Sequence, residues 1–199
     1  MINYIEILNI IKDKNIELRH DVDVSIISAY NIAKIEHSMN VKSIYYLRFD
    51  CDYYNILSIE NKKIIEFLKE NHEIGCHVDV TNIKDNDDLI EYLSTYNEII
   101  PFNKFTFHIN SNKTKNFGEV KNFINKSLLN GMYISDSRNS FNEEKIEILK
   151  NNFEYTLLLH PEWWDNKDLT IKSNSSSSII NSLRLDELTK KTIKEILNE

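Results

Sequence analysis

The 199-residue sequence alternates between two textures, and this alternation constrains its fold more than any other feature. Short runs rich in β-branched and aromatic residues recur at 15–20 (NIELRH), 43–49 (SIYYLRF), 73–78 (EIGCHV), 104–109 (KFTFHI), 132–137 (MYISDS) and 154–160 (EYTLLLH). Each reads as a strand. The stretches 24–40, 58–71, 86–100, 116–130, 142–152 and 184–199 repeat apolar residues at three- and four-residue spacing and read as helices, with Ser58 and Asp186 as caps. Strand and helix signals in strict alternation predict parallel βαβ units, an α/β architecture. The strands are nearly continuous apolar runs, which suits a sheet covered on both faces. A doubly wound sheet and a barrel satisfy this pattern equally. The length fits one domain, taken as 1–199, in which the polar stretch at 172–180 is a loop rather than a linker.

Composition removes several functional classes. The net charge of −7, with no basic block, argues against nucleic-acid binding. With only Gly75, Gly118 and Gly131, neither a Walker loop nor a GxGxxG fingerprint can be written. Cys51 and Cys76 cannot build a disulfide framework. No apolar run approaches the roughly 18–20 residues of a membrane span. The N-terminus is amphipathic and carries Glu6 and Asp13, unlike a signal peptide, so a cytoplasmic protein is expected.

Chemistry-bearing residues gather at the strand ends. His20, Asp21 and Asp23 follow the first strand signal, and His77 and Asp79 end the third. His108 ends the fourth, Asp136 and Arg138 the fifth, and His160 the sixth. In barrels and open α/β sheets, the C-terminal strand ends share one face, which carries the active site. One strand-end histidine is usually structural, and Asp23 on its own reads equally as a helix cap. His37 and His72 lie in a helical pattern and a turn and are assigned no role. A cluster of buried ionisable groups, however, implies mutual pairing, a metal, or both.

The residue types suit a metal. An Asp23 oxygen with imidazoles from His77 and His108 makes the mixed N/O set of catalytic zinc, leaving one position open for water. Asp21, two residues from Asp23 and on the same side of an extended chain, is placed to act as base without being a ligand. His160 is placed to protonate the leaving group. Together these groups describe hydrolysis of an amide or ester. Trp163 and Trp164, in HPEWW beside His160, are either core residues or aromatic faces for a sugar ring.

LRHDVD followed by a helix, HEIGCHVD, FTFHIN, YISDSR and LLLHPEWW, in this order over residues 18–164, resemble the polysaccharide deacetylase superfamily (the NodB-homology, carbohydrate esterase family 4 kind). The likeness is to its short branch associated with surface-polysaccharide gene clusters. The resemblance implies a distorted, incomplete (β/α)7-type barrel, a divalent metal, usually zinc, and removal of an N-acetyl group from an amino sugar. It also implies Asp21 as base, Asp23 and His77 as metal ligands, and His160 as acid. Two positions depart from the pattern. Thr81 stands where a second-motif histidine is expected, so a third ligand comes from His108, Asp79 or water, with His108 favoured. Ile109 and Asn110 stand in the third motif, which usually holds the arginine that orients the base; Arg138 or Arg19 substitutes, with Asp136 as an orienting partner. His20 orients Asp21, binds metal, or is simply buried.

The leading expectation is thus a metal-dependent hydrolase that deacylates an N-acylated amino sugar or glycan intermediate. The alternative is a catalytically impaired relative that binds sugar or metal. A phosphoesterase ranks behind both, because Arg19, Arg48 and Arg138 are the only strand-associated phosphate anchors.

Overall fold

The structure, a computed structural model, describes residues 2–81, 83–108, 114, 117, 120, 122–126, 131–137 and 140–165. Seven parallel strands carry the fold: β1 (Asn15–Val22), β2 (Ile44–Leu47), β3 (Glu73–Asp79), β4 (Lys104–His108), β5 (Ile124–Asn125), β6 (Tyr133–Ser135) and β7 (Glu154–Leu159). The helices are α1 (Tyr4–Ile11), α2 (Ile26–Ser38), α3 (Ile59–Asn71), α4 (Asn86–Ile99), α5 (Glu143–Asn151) and α6 (Pro161–Trp164). The strands pair in the order β5-β4-β3-β2-β1-β7-β6, which is cyclic in chain order with the opening between β5 and β6.

The sheet is curled. In a flat sheet, β1 and β5 would lie about 19 Å apart, four spacings of about 4.8 Å. Instead Arg19 of β1 donates to the carbonyl of Lys126, just beyond β5, at 3.2 Å, and Lys126 reaches Glu17 of β1 at 2.7 Å. The product is the incomplete barrel with helices outside that the sequence motifs imply. Two apolar clusters seal its outer face. Leu47, Cys76, Val78, Phe105 and Phe107 pack under α2, α3 and α4, while Leu18, Leu157, Leu159 and Ile134 pack under α1, α5 and α6.

The inner face is different. Along β1, Glu17, Arg19 and Asp21 alternate with the outward Leu18 and Val22, and along β3 His77 alternates with outward Cys76 and Val78. The strands therefore do not have two apolar faces, as the near-continuous runs suggest; one face is apolar and the concave one is polar. Gly75 is required there. A Cβ at this position would run into the Tyr46 ring, which lies across it and under the Arg19 guanidinium, 5.1 Å from the ring centre.

Helix boundaries follow local chemistry. Ser25, not Asp23, caps α2, its Oγ accepting from Ser28 N at 3.1 Å. At its other end Asn40, at φ 56°, lets Val41 N–H reach back to Glu36 O at 2.9 Å, closing the helix with a left-handed residue. Helix α1, an element beyond the six helix signals, buries Tyr4, Ile7, Leu8 and Ile11 behind a reciprocal Asn3–Glu6 cap. The expected helix at 116–130 is not what the described residues there form. Val120 and Phe123 make an antiparallel bridge around Asn122 at φ 72°, and β5 follows. The expected helix at 184–199 and loop at 172–180 lie outside the described residues. Among the described residues, no helix is long and apolar enough to cross a membrane.

Candidate functional site

Asp21, Asp23, His77, His108 and His160 meet at the C-terminal mouth of the barrel. Parity brings Asp21 and His77 onto the concave face, and β3–β4 register sets His77 beside Thr106 and Asp79 beside His108. Because Ser25 does the capping, the Asp23 carboxylate is left free to turn into the mouth.

Three atoms there form a tight triangle. Asp23 Oδ1 lies 3.2 Å from His77 Nε2 and 3.0 Å from His108 Nδ1, and the two nitrogens are 3.3 Å apart. Yet Asp23 Oδ1 is buried without a well-directed hydrogen bond among the described residues. His77 is fixed from behind, its Nδ1 2.7 Å from Thr106 Oγ1. With Nδ1–H donated to Thr106, Nε2 presents a bare lone pair to the triangle. Ligand atoms about 2.05 Å from a tetrahedral metal are about 3.3 Å from one another. The three edges match that spacing, so one carboxylate and two imidazoles fit a divalent metal ion. Burial alone would raise the Asp23 carboxyl. Contacts with His108 and His77, and the charge of His160, outweigh it and hold the group well below the usual carboxylate range.

Asp21 lies beside the triangle, its Oδ2 3.7 Å from His77 Nε2. Arg19 Nη2 grips both its oxygens, at 3.0 and 2.9 Å. Burial pushes this carboxyl up, but the charges of His77, Arg19 and His160 prevail and hold it below its ordinary value. The arginine that partners Asp21 is therefore Arg19; Arg138 lies outside the described residues. His160 closes the other side, with Nε2 3.7 Å from Asp23 Oδ2. Asp136, fully buried, accepts from His160 N at 2.9 Å and Trp164 Nε1 at 2.7 Å, and lies 2.6 Å from His160 Nδ1. Asp136 thus holds His160 and not Asp21. Burial lowers the His160 imidazole, but Asp136 dominates and pushes it up to about 10.

The remaining candidates separate by orientation. Asp79 turns to Arg48 at 3.0 Å and caps Thr81 at 2.8 Å, which removes it from the triangle. His20 points out of the barrel, 2.7 Å from Glu36 and 3.1 Å from Leu159 O, fully buried; of its three alternatives it takes the structural one. Trp164 is a core residue that steadies Asp136. Trp163 is half-buried, its ring 6.5 Å from His160. Two groups escaped the sequence reading. Thr106 carries no charge to draw notice. Glu162 is almost wholly buried, with no hydrogen-bond partner for either oxygen among the described residues, and desolvation pushes it up to about 8.

No family model matches the sequence, and no curated protein is similar to it. Solved structures are similar in fold. BA3943, a CE4 family pseudoenzyme from Bacillus anthracis, superposes with a TM-score of 0.53 at 16% identity over 76% of this chain and 56% of its own. A BA3943 mutant with restored enzymatic activity gives 0.51 at 14% identity over 94% and 64%. A mutant of the peptidoglycan deacetylase PdaC from Bacillus subtilis gives 0.51 at 11% identity over 93% and 96%. The chain spans 56% to 64% of the length of the BA3943 structures it matches. Its curled seven-stranded sheet shares the fold of these structures, which agrees with the fold that its sequence motifs imply.

Proposed function

We propose that the chain is a metal-dependent hydrolase that removes an N-acyl group, foremost N-acetyl, from an amino sugar or glycan precursor. The observation that carries this reading is the Asp23–His77–His108 triangle, with edges of 3.0 to 3.3 Å, flanked by a held carboxylate and a held imidazole. Those three residues would hold the ion, zinc by the chemistry of the set. When bound, a divalent ion polarises the acyl carbonyl and acidifies water at the site. Asp21, kept ionised and aimed by Arg19, accepts the proton of the attacking water. His160, kept protonated by Asp136, presents Nε2 to the cleft and gives its proton to the amine as the carbon–nitrogen bond breaks. The half-buried face of Trp163 suits a sugar ring beside that proton donor.

The test is acetate release from N-acetylated amino sugars by purified protein reconstituted with zinc. Asp21→Asn should lower kcat about 100-fold or more, the range of a general base, while zinc binding persists. An unchanged rate removes Asp21 as base, and a zinc-loaded protein inert on every acylated sugar overturns the reading.

A further inference from the structure

The peptide unit that joins Leu159 to His160 is held at both ends. Its N–H donates to Asp136 Oδ2 at 2.9 Å, and its carbonyl oxygen, Leu159 O, lies 3.1 Å from His20 Nδ1. A carbonyl only accepts, so His20 Nδ1 carries a proton and donates it. Because the peptide is planar, a grip on its oxygen and another on its nitrogen fix the plane from which the His160 side chain leaves the backbone. One grip comes from β1, on one flank of β7. The other comes from Asp136, just past β6 on the opposite flank.

The grip from β1 is itself clamped. The second His20 nitrogen, Nε2, lies 2.7 Å from Glu36 Oε1, and the imidazole stacks on the Tyr45 ring with centres 4.6 Å apart. Glu36 is held in turn, accepting from the Tyr45 hydroxyl at 2.6 Å, from Ser43 Oγ at 2.8 Å and from the Tyr4 hydroxyl. His20, Glu36, Tyr4 and Tyr45 are fully buried. A second arm leaves the same anchor: the Tyr4 ring packs on Trp164, centres 5.9 Å apart, and Trp164 Nε1 donates to Asp136. Both arms of the Glu36 cluster therefore end on His160. Stability alone does not call for such a cluster, since well-packed apolar side chains of similar volume often serve it as well.

We propose that His20, clamped by Glu36, is a positioning residue for the proton donor: by pinning the Leu159–His160 peptide it aims His160 Nε2 at the leaving nitrogen. The inference rests on the deacylase reading above, in which His160 gives its Nε2 proton to the amine as the carbon–nitrogen bond breaks. Its test has a spectroscopic arm that does not.

Amide side chains separate the two His20 contacts, because Asn places its N–H where Nδ1 stands and Gln places its own near Nε2. In zinc-loaded protein, His20→Gln should lower kcat on an N-acetylated amino sugar about tenfold or more, with KM within about twofold, while His20→Asn stays within about threefold of wild type. Both variants should cleave 4-nitrophenyl acetate at the wild-type rate, since 4-nitrophenolate departs without needing a proton. Equal losses on amide and ester, equal losses in the two variants, or a wild-type amide rate in His20→Gln overturns the proposal. Should His20→Gln not fold, its combination with Glu36→Gln, which removes the buried carboxylate along with its partner, takes its place. In metal-free protein, proton NMR of the His160 Nδ1–H that faces Asp136 should show a signal displaced in His20→Gln and kept in His20→Asn. If the signal behaves so while wild type hydrolyses neither substrate, the grip on His160 stands and the deacylase reading fails. A signal that His20→Gln leaves in place overturns the positioning role.

Discussion

Replacing Arg19 with Met separates the charge of this side chain from its bulk. Arg19 is 4% exposed on the concave face, and its Nη2 holds both Asp21 oxygens at 3.0 and 2.9 Å. Methionine fills much of the same stem but leaves Asp21, itself 5% exposed, as a buried carboxylate without its cation. Removing one partner of a buried pair costs about 3–5 kcal/mol. The charge of His160 still acts on Asp21 and offsets part of this, so the low end, about 3 kcal/mol, is the expectation. For a chain of this size that is a fall in Tm of about 6–12 °C. Urea unfolding of the metal-free protein, followed by far-ultraviolet circular dichroism, reads it directly, with the midpoint moving and the slope unchanged. Arg19→Lys should recover only part of the loss, because it restores the charge without the second nitrogen, Nη1, that anchors the side chain on Lys126 O. A loss below about 1 kcal/mol in Arg19→Met, the size of an ordinary exposed pair, would refute the reasoning, since Asp21 would then draw its stabilisation from solvent.

Thr106→Val removes the partner of His77 Nδ1 and should weaken zinc binding about 10- to 100-fold in competition with a chromophoric chelator. Gly75→Ala drives a methyl into the Tyr46 ring that supports Arg19; an expected loss of about 1–3 kcal/mol is read by the same urea assay, and wild-type stability would contradict the packing. Acidification should destabilise the metal-free fold through Glu36, which accepts from Tyr4, His20, Ser43 and Tyr45 and lies 3.7 Å from His72, with Lys42 nearby. Burial would raise Glu36, but the His20 and His72 charges hold it low, so its contribution is present above about pH 4.5 and lost below. Burial lowers His72, so charging it below about pH 6.5 acts in the same direction; a urea midpoint flat from pH 7 to pH 4 would contradict both.

Much of the fold was legible because parallel strands and their helices each carry a period. The six long strand signals all became strands. What failed were the short elements. A two-residue strand such as β5 has no period to detect. Phe117, Val120 and Phe123 sit three apart, which imitates a helix, but the spacing comes from a tight turn. The Val120–Phe123 bridge sets Phe123 on Phe102, ring centres 5.6 Å apart, and Phe117 meets Phe107 at 5.4 Å, so the core accepts the same spacing without a helix.

For the site, strand parity decided more than residue type. The rule that puts Asp21 and Asp23 on one side also puts Arg19 there, two residues back, and turns His20 outward. Parity therefore contained the answer to which arginine holds Asp21 and why His20 belongs to the Glu36 network. The pairing of Asp136 with His160 lay beyond it. Those residues are 24 positions apart, each just past the end of one of two neighbouring strands, and which carboxylate reaches which imidazole depends on the β6–β7 register, where Ser135 pairs with Leu158. Register is a property of the assembled sheet, since a slip of one residue would turn Asp136 to the other face. The histidine is thus specified locally, by its place at a strand end, while its protonation is specified by the barrel as a whole.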